Sequence, residues 1–118
     1  MLPKPKRLSQ SPAYHRSRKQ EEAVATKYGG RRVPGSGSGD MKGDDRIDDI
    51  ARIECKTTQA KSYRVTLEDL AKIESAAISA GEVPIMEIEF LDARGKPIRS
   101  IGVMPTWALE KLIDNAKS

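Results

Sequence analysis

The chain holds one cysteine, one histidine, one tryptophan and one phenylalanine in 118 residues, and aromatic residues make up only 4% of it. A lone Cys55 excludes an internal disulfide and suits a reducing compartment; it reads as a small, buried side chain. The single histidine, His15, lies in a polar, basic stretch, which argues against a zinc centre built from several His and Cys ligands. No apolar run is long enough for a membrane-spanning helix or a secretory signal, so the expected location is the cytoplasm. There is no internal repeat. The glycine-rich stretch 29–43 lacks the Gly-Lys-Ser/Thr ending of a nucleotide-binding P-loop.

What is present is charge. Charged residues are 32% of the chain, so burial must rest on Ile, Leu, Val and Met, in one domain with a modest core. A chain of this size often completes its core by pairing with a second copy. The net charge of +4 is unevenly spread. Up to Val33 there are nine Lys or Arg against Glu21 and Glu22, a net of +7, which leaves −3 on the remainder. A basic arm leading into an acidic region suits a protein that binds phosphates with one part and a metal with the other.

The acidic region is organised by residues 43–58, GDDRIDDIARIECKTT. The pattern predicts a β-hairpin with its turn around Asp48-Asp49. Asp44 opens the first strand, ten residues before Glu54, and Lys56 follows two residues later. Because side chains alternate along a strand, Glu54 and Lys56 project together while Ile53 and Cys55 point the other way. If the strands pair, Asp44 and Glu54 come within reach of one divalent ion. Two carboxylates with carbonyl and water oxygens suit Mg²⁺. A neighbouring lysine can orient water or stabilise charge on a phosphate. The chemistry these residues predict is metal-assisted phosphodiester hydrolysis. Asp40, in the preceding loop, is the rival to Asp44.

An Asp, a gap and then Glu-x-Lys resembles the PD-(D/E)xK nuclease superfamily, with Gly43 where that family often has proline. The order GGRRVPGSGSGDMKGD, IECKTT, SYRVTLEDLAKI, GEVPIMEIEF resembles the archaeal-type Holliday junction resolvases over roughly residues 20–91. The compact spacing from Asp44 to Glu54 is similar to the phage endonuclease I branch of the same superfamily. The resemblance implies an α/β or α+β fold of restriction-endonuclease type, with a mixed, mostly antiparallel central sheet flanked by helices. It implies a homodimeric, Mg²⁺-dependent DNA endonuclease, with Mn²⁺ as a substitute, that resolves four-way junctions by paired nicks in a bacterial or phage-infected cell. The catalytic set it implies is Glu21, Asp44, Glu54 and Lys56, and the metal set Glu21, Asp44, Glu54 and Cys55, with Glu22 the fallback for Glu21. Arg32 stands where the resolvases use an arginine near the scissile phosphate. Arg31, Ser36, Ser38, Lys42, Thr57 and the N-terminal Arg16, Arg18 and Lys19 complete the DNA-binding set. A less selective nicking or flap nuclease, and an inactive DNA-binding module, are the alternatives.

Taken in order, residues 1–16 form a basic, flexible arm and 17–118 a single domain. Ser17 with Gln20 has the form of a capping box, so the first helix is expected to start there and stop at Gly29-Gly30. On that helix Glu21, Val24, Ala25 and Tyr28 share a face, which turns Glu21 inward. Arg46 and Arg52 flank the acids, where they serve phosphate or surface ion pairs. Residues 62–65 read as a short strand. Thr66 with Asp69 caps a second helix whose inner face is Leu67, Leu70, Ile73 and Ala77, ending at Gly81, with Ala76 and 78–80 as a dimer candidate. Residues 84–91 alternate, with Met86, Ile88 and Phe90 on one side and Glu87 and Glu89 on a half-exposed other side. Residues 92–95 form a turn, 96–104 a returning strand, and Pro105 opens a last helix with Leu109, Leu112 and Ile113 on one face. Trp107 reads as a core or interface anchor, with base stacking the alternative.

Overall fold

The computed structural model describes residues 12–33 and 44–118, the side chains of 12–17 and of Asp44 excepted. It is an α+β fold: helix α1 (Pro12–Tyr28), strands β1 (Arg31–Arg32), β2 (Asp44–Ile47) and β3 (Ala51–Thr58), helix α2 (Leu67–Ser79), strands β4 (Val83–Leu91) and β5 (Pro97–Val103), and helix α3 (Thr106–Lys117). The five strands form one mixed sheet in the order β1-β2-β3-β4-β5. All neighbours are antiparallel except β3 and β4, which run parallel and are joined through α2. Among the described residues no helix is long and apolar enough to cross a membrane.

The two central strands show why the chain folds this way. On β3 the small and apolar Ala51, Ile53 and Cys55 are buried on one face, while Arg52, Glu54 and Lys56 lie half-buried on the other. Helix α1 covers the first face: Val24 packs with Ala51, Ile53, Cys55, Val83 and, from α3, Ala108. Helix α2 covers the second, burying Ile73 and Ala77 where Met86 and Ile88 of β4 point. Its capping expectation is met, since Thr66 Oγ1 accepts the Asp69 amide at 3.0 Å.

Several expectations are corrected. Helix α1 starts at Pro12, so Ser17 lies inside it and makes no capping box; proline tolerates the first helical position because the N–H it lacks would be unpaired there. Residues 62–65 form no strand, because β2 and β4 already occupy both sides of β3. Leu67 is exposed, at the first turn of α2 before the helix meets the sheet. Leu109 and Ile113 are likewise exposed on α3, which buries Ala108 and half-buries Leu112. Trp107 is no core anchor: it is partly exposed, and its Nε1 donates to Glu74 Oε2 of α2 at 2.9 Å.

The largest correction concerns Glu87 and Glu89. They do alternate with Met86, Ile88 and Phe90, but they are 5% and 6% exposed, so β4 is buried on both faces. Helix α1 supplies what a buried carboxylate requires. Lys27 Nζ donates to Glu87 Oε2 at 3.0 Å, Tyr28 Oη to Oε1 at 2.8 Å, and Gln20 Nε2 to the Glu87 carbonyl at 3.1 Å. The hydrogen bond from Lys27 to Glu87 holds its ammonium pKa above the ordinary range, although burial opposes it.

Between α1 and β1 the chain makes a close approach at Gly30. A Cβ there would meet the backbone carbonyl of Arg46 on β2. Gly30→Ala is therefore expected to push β1 off β2 and cost about 1–3 kcal/mol, the usual range for an overpacked position, measured as a lower urea midpoint at unchanged m-value.

Candidate active site on the central hairpin

The hairpin is pinned from outside itself. Its turn places Asp49 in the left-handed region, at φ 66, and closes with the Ile50 amide donating to Ile47 O at 2.9 Å. Glu82, buried just before β4, accepts the Asp49 amide at 3.1 Å. The same carboxylate takes both Nε and Nη2 of Arg46, at 3.0 and 2.6 Å to Oε2. That hydrogen bond leads the causes that hold the guanidinium above its ordinary pKa. Arg46 is thus committed to Glu82 within the fold. Asp48 extends the network, pairing with Arg31 of β1 at 3.1 Å, which draws its carboxyl below the ordinary range.

With the turn so held, β2 and β3 pair Asp44 with Glu54, Asp45 with Ile53 and Arg46 with Arg52. Directly opposed residues share a face, with Cβ atoms about 4.5–5.5 Å apart. Asp44 is therefore the backbone partner of Glu54 across the ladder, and on β3 Lys56 shares a face with Glu54. Lys56 Nζ lies 2.9 Å from Glu54 Oε2, with the two side chains 16% and 12% exposed. In such a half-buried place the pair is screened far less than on an open surface.

Tyr63, in the segment after β3, belongs to this environment. Burial first, then the charges of Asp69 and Glu54, push its phenol above the ordinary range, while Lys56 opposes them. Sequence reasoning missed it by placing 62–65 in a strand; the available signal was a tyrosine close after the Glu-x-Lys element in a chain poor in aromatics.

The other face of the hairpin gathers a different set. Glu21 of α1 accepts from Arg32 Nη2 of β1 at 2.7 Å, and Arg32 stands opposite Asp45. Cys55 Sγ donates to Asp45 Oδ2 at 3.7 Å. Burial, followed by the charges of Asp45, Glu21 and Glu87, drives the thiol pKa far above its ordinary value. Glu21 is thus not brought to Glu54 and Lys56, which lie across the sheet. The Cys55 thiol likewise points away from Glu54 and is no partner for it in a metal site, because strand alternation sends adjacent side chains to opposite faces. Thr57 falls on the Cys55 side for the same reason.

Of the remaining candidates, Arg31 is engaged with Asp48 on the surface, and Arg18, Lys19 and Glu22 are exposed on α1. Arg16 lies in α1, but its side chain, with Ser36, Ser38, Asp40 and Lys42, is outside the described residues. Among the described residues no group of three or more His, Cys, Asp or Glu is arranged to hold a metal. The ladder makes two residues with carboxylate side chains, Asp44 and Glu54, backbone partners, and hard oxygen donors suit a cation that keeps most of its waters and takes few protein ligands. Compared with protein-family models, curated proteins and solved structures, the chain matches none.

The burial of Cys55 has a direct readout. Iodoacetamide at pH 8 is expected to leave the thiol of the folded protein unmodified over hours and to alkylate it within minutes in denaturant, as followed by mass spectrometry.

Proposed function

We propose that this chain is a Mg²⁺-dependent DNA endonuclease of restriction-endonuclease type that resolves four-way junctions by paired nicks. The observation that carries the reading is the ladder pairing of Asp44 with Glu54, with Lys56 on the same face and 2.9 Å from Glu54. The mixed sheet flanked by helices supports it, since a fold of that class is what the resemblance to the PD-(D/E)xK nucleases implies; the strand expected between the Glu-x-Lys strand and the helix is absent.

Asp44 and Glu54 would hold the cation, which when bound supplies Lewis acidity at the phosphate and an acidified water. Lys56 carries up to three N–H donors on a short reach from Glu54, so it can orient the attacking water and meet charge growing on the phosphate. The exposed Arg18 and Lys19 and the edge arginines of β1 provide positive charge for the DNA backbone, a term that weakens steeply with salt. Paired nicks require two copies of the site related by a two-fold axis, because a four-way junction is itself nearly symmetric; a homodimer working in the cytoplasm meets that need.

The test is cleavage of a synthetic immobile four-way junction beside linear duplex, flap and single strand, with and without Mg²⁺. The wild type is expected to nick the junction in symmetric pairs. Glu54→Ala is expected to lose at least about a hundredfold in rate while binding the junction as before. Cutting of every substrate would reduce the reading to a general nuclease, and binding without any cutting would remove the enzyme altogether.

A further inference from the structure

The buried acids on the α1 side of the sheet, Glu21 and Asp45, have no part in the reaction above. Glu21 is almost fully buried, its side chain 7% exposed, and its carboxylate meets the Arg32 guanidinium at 2.7 Å. Asp45 is buried on the same face and opposite Arg32 in the ladder. Arg32 itself keeps 39% of its side chain in solvent. Taking carboxylates out of water costs on the order of several kcal/mol per ion, and apolar side chains of similar size usually serve stability as well or better. A guanidinium, however, is a planar fork: one edge can be locked against a buried acid while its other N–H groups stay free to meet a second anion bidentately. The place is accessible, because β1 is an outer strand of the sheet and Arg32 is exposed on it.

We propose that Glu21 is a positioning residue for Arg32: it fixes a half-exposed guanidinium at the β1 edge to receive a phosphate of the DNA strand, and it is not a metal ligand. This rests on the nucleic-acid reading given above and departs from the role that the resemblance implies for Glu21. The charge sign makes the claim sharp. Removing an acid from a DNA-binding edge should, by charge alone, tighten binding. Removing a positioning acid should weaken it.

The experiment is a double-mutant cycle read as the affinity of the full chain for a fluorescein-labelled four-way junction in EDTA, where metal ligation contributes nothing. Arg32→Gln is expected to weaken binding about tenfold and Glu21→Gln about threefold, with the double variant no weaker than Arg32→Gln alone. Glu21→Gln binding as tightly as wild type or tighter, or losses that multiply in the double variant, would overturn the proposal. So would a Glu21→Gln protein whose only defect is a Mg²⁺ half-saturation for cleavage raised tenfold or more. If Glu21→Gln does not fold, as judged by circular dichroism, Arg32→Lys decides: it keeps the ion pair and loses the fork, so affinity should fall to within about twofold of Arg32→Gln, and wild-type affinity would sink the idea. Wild-type protein that binds the junction but never cuts would refute the nuclease reading alone, and the cycle would still decide the role of Glu21. Wild-type protein that binds no DNA would refute both.

Discussion

Everything proposed for this chain depends on the register of one antiparallel hairpin. A slip of one residue between β2 and β3 would send Asp44 to the far face and leave Glu54 opposite Asp45. The hairpin turn is a weak guarantor by itself, since it places a non-glycine residue, Asp49, in the left-handed region. The register is instead secured by Glu82, which lies 33 residues further along the chain and accepts the Asp49 amide and two N–H groups of Arg46. A carboxylate so buried is costly to bury and therefore specific: few other arrangements of β2 satisfy it.

The same economy recurs across the sheet. The chain buries acids among its apolar residues, and three of them are matched to charged donors from another element. Glu87 on β4 takes Lys27 and Tyr28 from α1, Glu21 on α1 takes Arg32 from β1, and Glu82 takes Arg46 from β2. The first two tie α1 to the sheet at β4 and at the outer strand β1. The sheet also divides the charge into two populations on opposite faces: Glu54 and Lys56 on the α2 side, Glu21, Asp45 and Arg32 with Cys55 on the α1 side. Only the strand backbone of β3 separates them, so a substitution on one face reaches the other through strand position and through field.

Much of this could be read from the residues. The hairpin follows from the alternation of Ile53 and Cys55 with Glu54 and Lys56, and the second helix from Thr66 and Asp69, because caps and strand alternation are local rules. The turn at Asp92 is likewise local: its carboxylate accepts the Arg94 and Lys96 amides at 2.8 and 2.9 Å. The errors share a cause as well. Residues 62–65 look like a strand by composition, yet a strand also needs an open edge to pair with. Glu87 and Glu89 look solvent-facing by alternation, yet alternation marks the face and not what covers it.

The sequence by itself determined the composition of the candidate site: Glu54 and Lys56 share a face wherever the strand is placed, since their spacing of two is fixed by the covalent chain, and Asp44 at ten residues' distance is what a short hairpin brings back. Tertiary structure decided what depends on contacts between distant segments. It set Glu21 against Arg32 rather than Glu54, turned Cys55 away from the site, and buried Glu82 and Glu87 with cations from other elements. The physical reason is that periodicity along a strand or helix tells which side chains travel together, while the partner of a buried charge is chosen by whichever element packs over it.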